Sequence, residues 1–125
     1  MKLPSKATLK KYGLTVGEWL TMYYKYSGCC HICRKPQSPE AKRAFHVDHE
    51  HISGWSKLPP EQRKLYCRGL ICYTCNRFRM TRGTTLETAR GMVTYLEEYE
   101  KSNKTINIHN RQLLTENHLP PMYGE

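Results

Sequence analysis

The sequence contains no long apolar run. No stretch approaches the roughly 20 apolar residues that a bilayer-spanning helix needs, so no membrane partner is expected. Met1-Lys2-Leu3-Pro4-Ser5-Lys6 carries charge without the apolar segment that a secretory leader places behind it. Internal repeats and low-complexity tracts are also absent, which excludes solenoid and array architectures. Disulfides belong to secreted chains, so the expectation is a soluble protein of a reducing, cytoplasmic compartment whose six cysteines are read as metal ligands before bridges.

Acid is the other shortage. There are 11 Asp and Glu against 20 Lys and Arg, a net charge of +9, and the imbalance is local. Up to position 83 there are 16 basic and 5 acidic residues; beyond it there are 4 and 6. The basic part is therefore the cysteine-rich part. A polyanion such as DNA is the natural partner, because neutralising phosphates releases condensed counterions. A merely solvated basic surface is the alternative.

Three segments follow from punctuation and periodicity. Residues 1–13 are polar and basic and read as a loose lead-in or an arm that orders on binding. Residues 14–83 read as the functional domain. Within it, Thr15 and Glu18 have capping-box spacing, and Val16, Trp19, Leu20 and Tyr23 follow on one helical face up to a stop at Gly28. Ala44–His49 and Arg68–Ile71 read as strands, with Gly69 marking a bend or a close backbone approach, and a short helix is expected from Tyr73 to about Met80. Residues 84–125 read as a C-terminal helix and tail. The helix is capped by Thr84 with Glu87, carries Leu86, Ala89, Val93 and Leu96 on its apolar face, and ends at Ser102-Asn103-Lys104. Leu113-Leu114 could dock, and Pro120-Pro121 argues for an extended end.

A chain of 125 residues buries a limited core and gains from a staple. Cys30-His31-Ile32-Cys33 and Cys72-Tyr73-Thr74-Cys75 are two C-x-x-C knuckles, each placing two thiolates on one tight turn. Together they predict a closed, four-thiolate structural zinc site at Cys30, Cys33, Cys72 and Cys75. Disulfides or a redox pair are the competing readings. Cys29, which could replace Cys30, and Cys67 read as spare, small buried side chains, and His31 as exposed. Such a zinc has no open position, so chemistry needs a second cluster. Asp48-His49-Glu50-His51 lies between the knuckles and Asn76 follows the last cysteine. Carboxylate and amide oxygens suit Mg²⁺, and an imidazole suits a general base at neutral pH. Asp48 and His49 share one site only if the strand ends or bends there, since adjacent strand residues face opposite ways.

The order of strand, Asp-His, loop, strand, Cys-x-x-Cys-Asn and helix resembles the HNH (His-Me finger) nucleases, specifically the phage recombination endonuclease VII family. The residues that carry it are Gly28 to Cys33, Val47-Asp48-His49-Glu50-His51, Ser53-Gly54, Arg68-Gly69-Leu70-Ile71-Cys72 and Cys75-Asn76, with Tyr12-Gly13-Leu14-Thr15 as lead-in. The fold this implies is a small zinc-stapled α+β domain, a ββα-metal finger with flanking helices. It implies an endonuclease that hydrolyses DNA phosphodiester bonds, in branched or duplex DNA, within the cytoplasm of a phage-infected host. By the same resemblance Asp48 and Asn76 hold one Mg²⁺ or Mn²⁺ and His49 activates the attacking water. His51 either binds metal or orients a phosphate, and Glu50 is as readily solvated.

Two departures from the family pattern stand out. Trp55 to Tyr66 is an insertion, in which Lys57, Arg63 and Lys64 either meet DNA or keep a loop solvated. Arg79 stands where some relatives carry an acidic metal-site residue. Arg68 and the stripe Arg77, Arg79 and Arg82 are the candidates for gripping phosphates, a solvated helix face being the alternative. Junction cutting would call for a homodimer. A non-catalytic zinc module that binds nucleic acid or protein would explain the cysteines and the charge, but not Asp48, His49 and Asn76 together.

Overall fold

The computed structural model describes the backbone of residues 1–117 and the side chains of residues 1–102. Two compact units are present, residues 1–83 and a second beginning at Thr84.

The first correction comes at the N-terminus. Residues 6–12 are not a loose lead-in but a helix, α1 (Lys6–Tyr12). The Ser5 side chain accepts from the Thr8 amide, and Gly13, at φ 70°, closes the other end by donating to the Leu9 and Lys10 carbonyls. Those two caps pair one amide and two carbonyls of the groups that helix ends leave open, and Leu9 buries its side chain in the core. Gly13 has a second reason to lack a Cβ, which would collide with the Pro60 carbonyl.

Helix α2 (Val16–Lys25) starts as expected, with Thr15 and Glu18 forming a reciprocal capping box. Trp19 is its fully buried residue and stacks on Tyr23, ring centroids 5.4 Å apart. Ser27 and Gly28, at φ 54° and 79°, reverse the chain into the first cysteine turn. Strand β1 (His46–His49) pairs antiparallel with β2 (Cys67–Ile71). Val47, Leu70 and Ile71 face the core with Trp19, Phe45 and Leu9, and Cys30 and Cys75 complete it.

The insertion between the strands is not an open loop. It forms a 3₁₀ turn (Trp55–Lys57), helix α3 (Pro60–Arg63) and a second 3₁₀ turn (Lys64–Tyr66). Pro60 at the first helical position supplies a preset φ and no orphan donor, and Trp55 is buried. After β2 the chain enters a helical stretch whose Cys75–Arg79 part is a wider, π-type turn.

In the second unit, α4 (Leu86–Asn117) is capped one residue later than the sequence suggests. Thr85 and Thr88 bond reciprocally, each side-chain oxygen accepting the other's backbone amide. The helix also does not end at Ser102-Asn103-Lys104. None of the three is Gly or Pro, and Ser, Asn and Lys each cost under about 0.7 kcal/mol in a helix interior, so propagation outweighs them. Leu86, Met92, Val93 and Leu96 are exposed. The side chains of Leu113 and Leu114, and Pro120-Pro121, lie outside the described residues.

Candidate active site and cysteine cluster

The ligand atoms of Cys30, Cys33, Cys72 and Cys75 all lie within 4.8 Å of one another. A zinc–sulfur tetrahedron with bonds of about 2.3 Å has edges of about 3.8 Å, and the Cys33 and Cys72 sulfurs are 3.9 Å apart. The cluster therefore has the dimensions and the donor chemistry of a structural zinc site. All six cysteines are free of disulfides. Cys29 and Cys67 stay outside the cluster, half-buried.

Backbone donors prepare the sulfurs for a cation. Cys30 Sγ accepts from the Ile32 and Cys72 amides at 3.4 and 3.3 Å. Burial opposes its ionisation, but these N–H groups and the neighbouring Cys33 outweigh burial and bring the Cys30 thiol down to about 6. Burial pushes Cys75 up to about 12; Arg79 opposes that, and the Cys72 and Cys30 sulfurs add to it. His31 is not exposed as expected. Its Nδ1 accepts from the Leu70 amide at 3.3 Å, which leaves Nε2 to donate to the Met22 carbonyl at 2.9 Å. This ring braces the first knuckle against α2 and β2, and it explains Gly69, where a Cβ would sit 2.5 Å from His31 Nδ1.

Strand β1 ends at His49, and the ladder is irregular between Asp48 and His49. Asp48 pairs with Gly69 but His49 pairs with Cys67, so Arg68 is an extra residue on β2. Such a bulge disrupts the ladder and bends the strand. Asp48, His49, His51 and Asn76 then line one cleft of about 800 Å³. Asn76 reaches it because its amide donates to the Cys72 carbonyl, continuing the second knuckle.

His49 lies flat against Trp55, centroids 3.9 Å apart and planes 20° from parallel, with Tyr12 at 5.8 Å and His51 edge-on at 5.0 Å. Burial first, then His51, Lys11 and Arg68, hold its imidazolium form below the ordinary histidine range, while Asp48 opposes them. His46 lines the same cleft and is likewise lowered, by burial and Arg43. Glu50 and His51 are exposed. Sequence reading missed Tyr12 and Trp55. The one available signal was an aromatic stranded in a polar insertion.

The four arginine candidates go to different places. Arg68 binds Asp48 in a fork, Nε to Oδ2 at 2.8 Å and a terminal nitrogen to Oδ1 at 3.1 Å. Arg79 donates to Cys75 Sγ at 3.1 Å. Arg77 lies over Phe78, 5.6 Å from the ring centroid, and Arg82 is exposed. Asp48 is buried, so removing Arg68 leaves a desolvated carboxylate without its fork. In zinc-loaded protein, Arg68→Ala is expected to cost about 1–3 kcal/mol of stability without Mg²⁺, and millimolar Mg²⁺ should recover much of it if Asp48 can hold a cation. Thermal melts of both proteins with and without Mg²⁺ check this; equal Mg²⁺ responses would count against a cation at Asp48.

Among the described residues no helix is long and apolar enough to cross a membrane. The chain is 31% identical over 72 residues to the Gene 59 protein of Mycobacterium phage L5, which covers 58% of this chain and 36% of that one. It is 30% identical over 70 residues to the Gene 59 protein of Mycobacterium phage D29, covering 56% of this chain and 34% of the relative. The chain thus matches about a third of the length of these curated relatives. No solved structure matches it. The profile of the recombination endonuclease VII family matches residues 5–98, most of the chain, and the protein belongs to that family.

Proposed function

We propose that this protein is a metal-dependent DNA endonuclease built on a ββα (His-Me) finger of the HNH type. The observation that supports the reading is that Asp48, His49 and Asn76, the carboxylate, imidazole and amide of the motif, line one cleft. The Asp48 carboxylate and the Asn76 amide oxygen are the donors suited to one Mg²⁺ or Mn²⁺. A cation held there supplies charge neutralisation of the phosphate and of the departing 3′ oxygen. His49, neutral at pH 7, takes the proton of the attacking water, and Trp55 and Tyr12 fix its ring. His51 stands beside His49 and orients a phosphate. The products are a 5′-phosphate and a 3′-hydroxyl. Zinc on the four cysteines is structural in this reading, and Arg79 helps to neutralise the thiolates rather than gripping DNA.

Branched DNA and ordinary duplex both fall within this proposal, and the place of action is the cytoplasm of an infected host. A homodimer belongs to the junction substrate alone, where two symmetric cuts are needed; exposed Leu86, Met92, Val93 and Leu96 of α4 are where its interface would be sought. The non-catalytic zinc module has one observation on its side, the Arg68 fork already on both oxygens of Asp48. Incubation of zinc-loaded protein with four-way junction, flap, duplex and supercoiled plasmid, with and without Mg²⁺, separates the readings. Mg²⁺-dependent cuts support the nuclease, paired cuts at the junction select the resolvase, and binding without any cut on every DNA leaves the module.

A further inference from the structure

The N-terminal helix raises a question that the catalytic residues do not answer. Its residues Thr8, Lys11 and Tyr12, together with the preceding segment from Lys2 to Ser5, line the same cleft as Asp48, His49 and Asn76. Lys42 and Arg43, from the segment leading into β1, line it too. The cleft therefore gathers four cations, Lys2, Lys11, Lys42 and Arg43, from two separated stretches of chain. Asp48 is the one carboxylate among its lining residues, and Arg68 already forks both of its oxygens. Lys6 and Lys10, on the same helix, do not line the cleft. The cap at Ser5 and the burial of Leu9 hold the helix in one orientation, so Lys11 belongs to a fixed wall rather than to a floating arm.

We propose that this four-cation wall is the DNA-backbone site of the cleft, binding the phosphates that flank the scissile one. The inference rests on the nuclease reading for its substrate, and it moves phosphate recognition from Arg77 and Arg82 to Lys2, Lys11, Lys42 and Arg43. Each lysine or arginine that neutralises a duplex phosphate contributes about 0.9 to the slope of log affinity against log salt. A cation on the wall and a cation elsewhere on the surface therefore differ in a measurable way.

The test uses full-length, zinc-loaded protein carrying His49→Ala, so that a fluorescently labelled duplex stays intact, and reads anisotropy at several salt concentrations. Adding Lys11→Ala is expected to weaken binding several-fold and lower the slope by about 1, and Lys42→Ala with Arg43→Ala by about 2. Lys6→Ala with Lys10→Ala removes two charges, as many as the Lys42 and Arg43 pair, from the helix that carries Lys11, and should leave the slope within error of its starting value. Circular dichroism confirms that each variant is folded. The proposal is overturned if the cleft variants keep the starting slope, or if the Lys6 and Lys10 pair costs as much as they do. Cleavage by the otherwise unchanged protein with Mg²⁺ is measured alongside. Cutting with unaltered slopes removes the wall alone, whereas altered slopes without cutting remove the nuclease and leave the wall.

Discussion

Chelation of zinc is expected to unfold residues 1–83. The buried apolar core among the described residues is Leu9, Trp19, Cys30, Phe45, Val47, Trp55, Leu70, Ile71 and Cys75, so two of its nine members are cluster cysteines. The sheet has two strands, too few to be stable without added support. Structural zinc in small domains contributes an apparent ~10–16 kcal/mol at neutral pH, against a net domain stability of about 5–15 kcal/mol. Losing it should abolish the cooperative melt rather than shift it slightly. Cys72→Ser should do the same, because it breaks the second knuckle and removes the sulfur facing Cys33.

Acid acts in the same direction as chelation. A cysteine holds zinc only as the thiolate, so metal affinity depends on pH. Reprotonation competes with the metal for all four sulfurs, so zinc should be released as pH falls. Melts followed by circular dichroism, with zinc measured by elemental analysis, check this. A metal-free protein that melts as the loaded one does would remove the staple.

The parts of this molecule that were legible in the sequence are those set by short-range chemistry. Two C-x-x-C turns specify paired thiolates wherever they lie, and Thr15 with Glu18 specifies a helix start from four residues. Gly69 announced a close approach, and His31 proved to be what approaches. The bounds of α1 were equally local, written in Ser5 and Thr8 at its start and Gly13 at its end, but a short basic segment does not look like one that buries Leu9. The late end of α4 was hidden for the opposite reason, since Ser102 and Asn103 suggest a stop that their small helix penalties do not enforce.

What could not be read is the geometry created by pairing. Nothing in Cys67-Arg68-Gly69 marks Arg68 as the unpaired residue, because register is a property of the two strands together. The stack of His49 on Trp55 brings together residues from a strand and a 3₁₀ turn, and Tyr12 joins them from α1. Separation of this kind carries no periodicity, which is why Asp48, His49 and Asn76 could be grouped from their motif while the aromatic rings packed against His49 could not.

If His49 is the general base, His49→Ala is expected to lower Mg²⁺-dependent cleavage by about 10²–10⁴-fold, the usual contribution of a positioned base. DNA binding should change little, since the phosphate contacts lie on other residues. The substitution removes one side of the Trp55 stack, worth about 0.5–1.5 kcal/mol, so the variant should melt a few degrees lower but still fold and retain zinc. The pH profile gives a second, independent reading. Burial, His51, Lys11 and Arg68 together lower the His49 pKa below its ordinary value of 6.5, and Asp48 only partly offsets them. The base is active when neutral, so the rate should be lost as pH falls through that lowered value. The acid limb of kcat/KM should accordingly lie below pH 6.5, and a cation bound at Asp48 would push it lower still, by repulsion of the imidazolium. A folded His49→Ala protein that cuts within tenfold of the parent would take the base role away from His49. An acid limb at or above 6.5 would mean that another group limits the reaction, and His51, exposed and 5.0 Å away, would be the next residue to replace.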